Sequence, residues 1–221
     1  MGIKGIIYDF DGVIADSEAV ANLVLAEMVT ALGHPTTLQD SYDLYMGKRA
    51  AEVVEAVEGK LGRKLAATFS DDLRAATLAR FRTDLREVAG ASAFIRRFAC
   101  LPSCIASSSS AERLRVSLDT LRLAEEFADR VFSADLVPRG KPHPDIFLYA
   151  ADRIGVAPEH CLVIEDSRSG VLAGVAAGMT VLGLCAGGHI QDGHADRLRE
   201  AGAEHIFDRW PDAVAFLEAR L

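Results

Sequence analysis

The short apolar run at residues 3–8, Ile3-Lys4-Gly5-Ile6-Ile7-Tyr8, stops abruptly at Asp9-Phe10-Asp11-Gly12. A run so rich in β-branched residues, closed by a glycine, reads as a buried strand. Residues i and i+2 of an extended chain project the same way, so Asp9 and Asp11 are expected to face one site. Two close carboxylates repel, and one holds its proton unless a cation arrives. The pattern predicts a carboxylate nucleophile, a second carboxyl that moves protons, and a hard divalent metal between them. Taken alone, the same residues also read as a polar turn.

That strand opens a larger plan. Asp16-Ser17-Glu18 has the composition of a helix start, and helical spacing runs over 19–32 to Gly33. After a break at His34-Pro35, helices are expected at 49–61 and 70–88, with little strand character before residue 87. From Gly90 the pattern alternates between helix and strand: helices at 93–99, 111–126, 145–154 and 170–177, strands at 103–106, 130–133, 161–164 and 180–184. Alternation of this kind predicts an α/β protein with a doubly wound parallel sheet. The domain reading is a core of residues 1–14 and 87–221, interrupted by a helical insertion at 15–86.

Ligands of such sheets bind beyond the carboxyl ends of the strands. Each polar cluster falls at such an end: Asp9 and Asp11, then Ser107 and Ser108, then Glu165 and Asp166. Lys141 lies in a loop that opens a helix, with Pro142 suited to the first turn. Serine caps, a helix dipole and a solvated lysine explain each cluster singly, but not their convergence. Together they read as a phosphoryl-transfer site. Asp9 is the expected nucleophile and Asp11 the general acid and base. Magnesium is expected on Asp9, the Asp11 backbone carbonyl and Asp166, with Glu165 a ligand directly or through water. Ser107, the Ser108 N–H and Lys141 are expected to hold the phosphoryl oxygens.

Four segments carry a resemblance: Asp9-Phe10-Asp11-Gly12-Val13, Ser107 after an apolar strand, Lys141-Pro142-His143-Pro144-Asp145, and Glu165-Asp166-Ser167 followed by Gly170. In this order the sequence resembles the haloacid dehalogenase (HAD) superfamily, subgroup I, over essentially its whole length. The resemblance implies a Rossmann-like core with an inserted α-helical cap domain that closes over the substrate. It is nearest in pattern to small sugar-phosphate phosphatases and β-phosphoglucomutase-like proteins. An acid at Asp11 implies phosphate rather than halide chemistry. Where the mutases carry a cap histidine, this chain has Val20-Ala21-Asn22, and their Gly-x-Ser-Arg reads Met46-Gly47-Lys48-Arg49. The resemblance thus implies a magnesium-dependent phosphatase acting on a small phosphorylated sugar, sugar acid or polyol. A β-phosphoglucomutase-type mutase, or a phosphate-binding protein without turnover, are the alternatives. Lys48 and Arg49 are expected either to face substrate or to form a solvated helix start.

A formal net charge of -8 disfavours nucleic acid or an anionic membrane as partner. The partner expected is the small phosphorylated metabolite, with the chain a monomer or small homo-oligomer. The four cysteines, Cys100, Cys104, Cys161 and Cys185, lack metal-ligand spacing and are expected as free thiols. With no room for a leader before the first strand, a cytoplasmic protein is expected. His189 and His194 read as a metal pair or as unrelated histidines of a surface loop. Without a third ligand in view, the loop is expected.

Overall fold

In the computed structural model, residues 2–46, 48 and 50–221 are described. Six strands form one sheet: β1 (Gly5–Tyr8), β2 (Ser103–Ser107), β3 (Val131–Ser133), β4 (Cys161–Glu165), β5 (Thr180–Leu184) and β6 (His205–Phe207). Their order is β3-β2-β1-β4-β5-β6, and every pairing is parallel. This is the doubly wound order, in which the chain leaves β1 for one side of the sheet and later returns to the other. Ile7 sits in register with Cys104 and with Val163, so β1 is central and all four of its residues are buried. Parallel strands covered on both faces need apolar side chains in both directions, hence the unbroken run rather than an alternating one.

The chain separates into two compact units, Met1–Asp16 with Arg86–Leu221, and Ser17–Leu85. The second holds four helices, α1 (Ser17–Ala31), α2 (Leu38–Tyr45), α3 (Ala50–Leu61) and α4 (Phe69–Asp84). Leu25, Val29, Tyr45, Val53, Val57 and Phe69 form its own core. Helix α2 is absent from the sequence reading, although its start is written there. Thr37 and Asp40 make a reciprocal capping box, each side chain accepting from the other's backbone N–H.

The sheet unit carries α5 (Ala91–Arg97), α6 (Ala111–Leu121), α7 (Ala124–Phe127), α8 (Asp145–Ile154), α9 (Arg168–Ala176), α10 (His194–Ala201) and α11 (Trp210–Glu218). Side chains of β1 alternate between the two faces. Ile7 packs in a cluster with Phe147 of α8, Val171 of α9 and Leu198 of α10. Tyr8 meets Phe94, Phe127 and Trp210 from α5, α7 and α11. The single helix expected at 111–126 is two helices, because Arg122 adopts a left-handed conformation (φ 56°) that ends α6. Pro142 also differs from expectation. It lies in a turn before α8 rather than in the helix's first turn, and its bond to Lys141 is cis.

The two connections to the insertion leave the sheet unit side by side. Ala15 bridges Glu87, the Asp16 N–H donates to the Arg86 carbonyl (3.0 Å), and the Val88 N–H donates to Ile14 (2.8 Å).

Candidate active site

Strand β1 delivers Asp9 to the carboxyl edge of the sheet, where its N–H donates to the Ile164 carbonyl of β4 (2.9 Å). Asp9 is buried, as are Glu165 and Asp166 at the end of β4. Oxygens of these three carboxylates lie within 4.8 Å of one another. Lys141 reaches in from its turn, with Nζ 2.6 Å from Asp9 Oδ1 and 2.7 Å from Glu165 Oε1. Its ammonium also stands 4.7 Å from the centroid of Phe147. Three carboxyls gather in a buried site with one lysine ammonium between two of them, and all the acids' donor atoms are oxygens. That is the set a hard divalent cation takes, so these residues could hold a divalent metal ion.

Burial raises the Asp9 carboxyl well above the usual carboxylate range; Lys141 opposes that shift, and Glu165 and Asp166 reinforce it. Burial alone would lower the Lys141 ammonium, but Asp9 and Glu165 outweigh it and push Lys141 above its ordinary value. The lysine therefore keeps its charge at any physiological pH.

Glu165 is completely buried, and both of its oxygens have hydrogen-bond partners. Its Oε2 accepts from the Ser167 N–H (2.7 Å) and hydroxyl (2.9 Å). A Cβ on Gly170 would lie 1.5 Å from Glu165 Oε1, so only glycine leaves room for the carboxylate. Gly12 does the same for Asp166: it has φ +78°, and a Cβ there would fall 1.8 Å from Asp166 Oδ2.

Asp9 and Asp11 have different hydrogen-bond partners. Regular strand ends at Tyr8, and beyond it the i, i+2 alternation no longer governs direction. The Asp11 carboxylate accepts from Ser109 Oγ (2.6 Å) and Arg113 Nη2 (2.7 Å). Of the expected phosphate-binding residues, Ser107 is buried at the end of β2, and its hydroxyl accepts from the Ser109 N–H (3.1 Å). Ser108 is exposed. In the insertion, Lys48 is exposed and Arg49 lies outside the described residues.

Two residues at the site, Ser109 and Arg113, escape the sequence reading, and two more, His189 and His194, are expected there only as loop histidines. Ser109 and Arg113 hold Asp11. His189 and His194 are not unrelated surface residues: His189 is buried with Nε2 3.0 Å from Asp166 Oδ2, and His194 Nε2 donates to the Asp166 carbonyl at 2.5 Å. Burial holds the His194 imidazole below the usual histidine range, and its Nδ1 is left to accept from Arg197 (3.3 Å). A histidine in a glycine-rich loop carries no periodic signal, so the sequence offers this pair only as a metal pair or loop residues and does not point to Asp166. The serine run did contain a signal for Arg113: Ser110 caps α6, which fixes Arg113 three positions on.

With this geometry, comparison with known proteins assigns a class. The family model for haloacid dehalogenase-like hydrolases matches residues 3–178, and the chain belongs to that family. It is 28% identical over 188 residues to the 6-phosphogluconate phosphatase of Escherichia coli, covering 85% of each chain. To the phosphorylated carbohydrates phosphatase of Thermotoga maritima it is 30% identical over 208 residues, with 91% of this chain and 92% of the relative covered. A Thermotoga maritima structure provisionally assigned as a β-phosphoglucomutase superposes with a TM-score of 0.84 at 26% identity, covering 99% and 100% of the two chains. Relatives named phosphatases support an enzyme of that class here.

Proposed function

We propose that this protein is a magnesium-dependent phosphatase that hydrolyses a small phosphorylated sugar, sugar acid or polyol through an aspartyl-phosphate. The observation that carries this reading is Lys141, whose ammonium bridges Asp9 and Glu165 within a group of three buried carboxylates. A structural ion pair needs one acid per base. A site that concentrates three acids around a strand end is built for a cation and for an anionic substrate.

Asp9 attacks phosphorus in line with the ester oxygen, forming an acyl phosphate as the P–O bond to the alcohol breaks. Asp11 gives its proton to the departing alkoxide. It then takes one from the water that attacks phosphorus, and cleavage of the Asp9–phosphorus bond returns the carboxylate and releases phosphate. Lys141, Ser107 and the Ser108 N–H hold the non-bridging oxygens throughout. Magnesium held by Asp9, Asp166, Glu165 and the Asp11 carbonyl would neutralise charge between the carboxylate and the phosphate. The helical insertion at 15–86 acts as a cap that excludes water from the transfer, with Lys48 and Arg49 as its substrate contacts. A carboxylated or twice-phosphorylated substrate suits those two cations.

The test is phosphate release from a panel of sugar, polyol and sugar-acid phosphates, β-glucose 1-phosphate included, with and without magnesium. Metal-dependent release that vanishes in Asp9→Asn supports the phosphatase. Formation of glucose 6-phosphate without release would make it a mutase, and silence in both assays a binding protein.

A further inference from the structure

The proposed reaction uses Asp11 for both proton transfers but leaves Ser109 and Arg113 without a role. Both oxygens of the Asp11 carboxylate are engaged. Arg113 Nη2 donates to Oδ1 at 2.7 Å and Ser109 Oγ to Oδ2 at 2.6 Å, and all three residues are only partly buried. Neither donor is free to wander. Ser109 is fixed by its own backbone, its N–H donating to Ser107 Oγ (3.1 Å) and its carbonyl accepting from the Ser133 hydroxyl on β3 (2.8 Å). Arg113 is fixed by α6, whose capping serine, Ser110, accepts from the Arg113 N–H (3.4 Å). One short loop thus divides its hydroxyls: Ser107 braces the loop, Ser109 grips Asp11, and Ser110 starts the helix that brings Arg113.

We propose that Arg113 and Ser109 are positioning residues that set the orientation of Asp11 for proton transfer to the leaving alcohol. An aspartate on a turn has two free side-chain torsions, and a donor on each oxygen removes both. A general acid displaced by even an ångström loses much of its contribution, so orientation here controls rate. The clamp leaves the reaction's balance unchanged: the proton still passes from Asp11 to the alkoxide, and the donors hold the carboxylate that remains.

This inference rests on the reading of Asp11 as acid and base, and leaving-group chemistry separates the two. An alkyl phosphate expels a strongly basic alkoxide that needs a proton, whereas p-nitrophenyl phosphate expels a stable phenolate that does not. The parameter kcat/KM reports steps up to departure of the leaving group and so isolates the first proton transfer. The experiment measures kcat/KM for 6-phosphogluconate, or the alkyl ester ranked first in the panel, and for p-nitrophenyl phosphate. Variants are Arg113→Met, Arg113→Lys, Ser109→Ala and Asp11→Asn.

Arg113→Met and Ser109→Ala are expected to lose about 10- to 100-fold on the alkyl ester and less than about 3-fold on the aryl ester. Arg113→Lys restores part of the alkyl rate, since it keeps a cation without the fork. Asp11→Asn shows the same split, enlarged. If Asp11→Asn splits the substrates but neither Arg113→Met nor Ser109→Ala does, the positioning role is overturned while Asp11 keeps its own. If Asp11→Asn slows both esters equally, the acid role of Asp11 fails and the inference fails with it. Two variants on independent elements guard against misfolding of either one.

Discussion

His189 Nε2 lies 3.0 Å from Asp166 Oδ2, and both side chains are buried at the edge of the three-acid group. A ligand carboxylate held from behind by an imidazole presents its remaining lone pairs in one direction. His189→Ala should therefore raise the magnesium concentration needed for half-maximal activity by about 10-fold or more. Manganese binding followed by electron paramagnetic resonance checks this without turnover. Unchanged affinity would leave His189 a packing residue.

Gly170→Ala tests the space around Glu165. The new methyl group would sit 1.5 Å from Oε1 and 1.9 Å from Cδ, so the carboxylate must leave Lys141 and Ser167. Activity should fall about 100-fold, because Lys141 loses the partner that aims it. A melting temperature that drops by only a few degrees alongside this loss would place the damage at the site. Full activity would show that Glu165 has another place to go.

The raised Asp9 carboxyl predicts that metal binding at this site releases a proton. Without metal, native Asp9 keeps its proton to higher pH than in the unfolded chain, so the native state binds more protons in that window. Stability of the metal-free protein should fall as pH rises from the ordinary carboxylate range through the raised Asp9 value. Magnesium should reverse this and expel up to about one proton on binding. Calorimetry in two buffers of different ionisation enthalpy counts that proton, and a buffer-independent heat would show Asp9 already ionised.

Trp210 is the single tryptophan of the chain, fully buried, with its ring centroid 4.5 Å from that of Phe94. Trp210→Ala should cost about 3–5 kcal/mol, since an aromatic face under the sheet cannot collapse around so large a void. Urea unfolding followed by circular dichroism measures it. A cost below about 1 kcal/mol would mean that α11 adds little to the core.

Much of the architecture was legible. Ile6, Ile105 and Val163 lie in runs too short and too apolar for anything but buried parallel strands, and the polar residues that end them could only meet at one edge of the sheet. Helix boundaries were less legible. Arg122 ends α6 in a conformation that its side chain does not advertise, and α2 was hidden because its buried positions, Ser41, Tyr42 and Tyr45, are polar or amphipathic.

The sequence by itself determined the parallel core, the helical insertion and the identity of Asp9, Glu165, Asp166 and Lys141 as one chemical group. Tertiary structure decided their supports. Ser109 and Arg113 stand 98 and 102 positions from Asp11. His194 stands 28 from Asp166, at the start of α10 just after a glycine-rich loop with no pattern of its own. Strands announce themselves because burying an apolar run is a local demand on composition. A polar partner obeys no such demand: any serine, arginine or histidine serves, and only the path of the folded chain selects which one arrives.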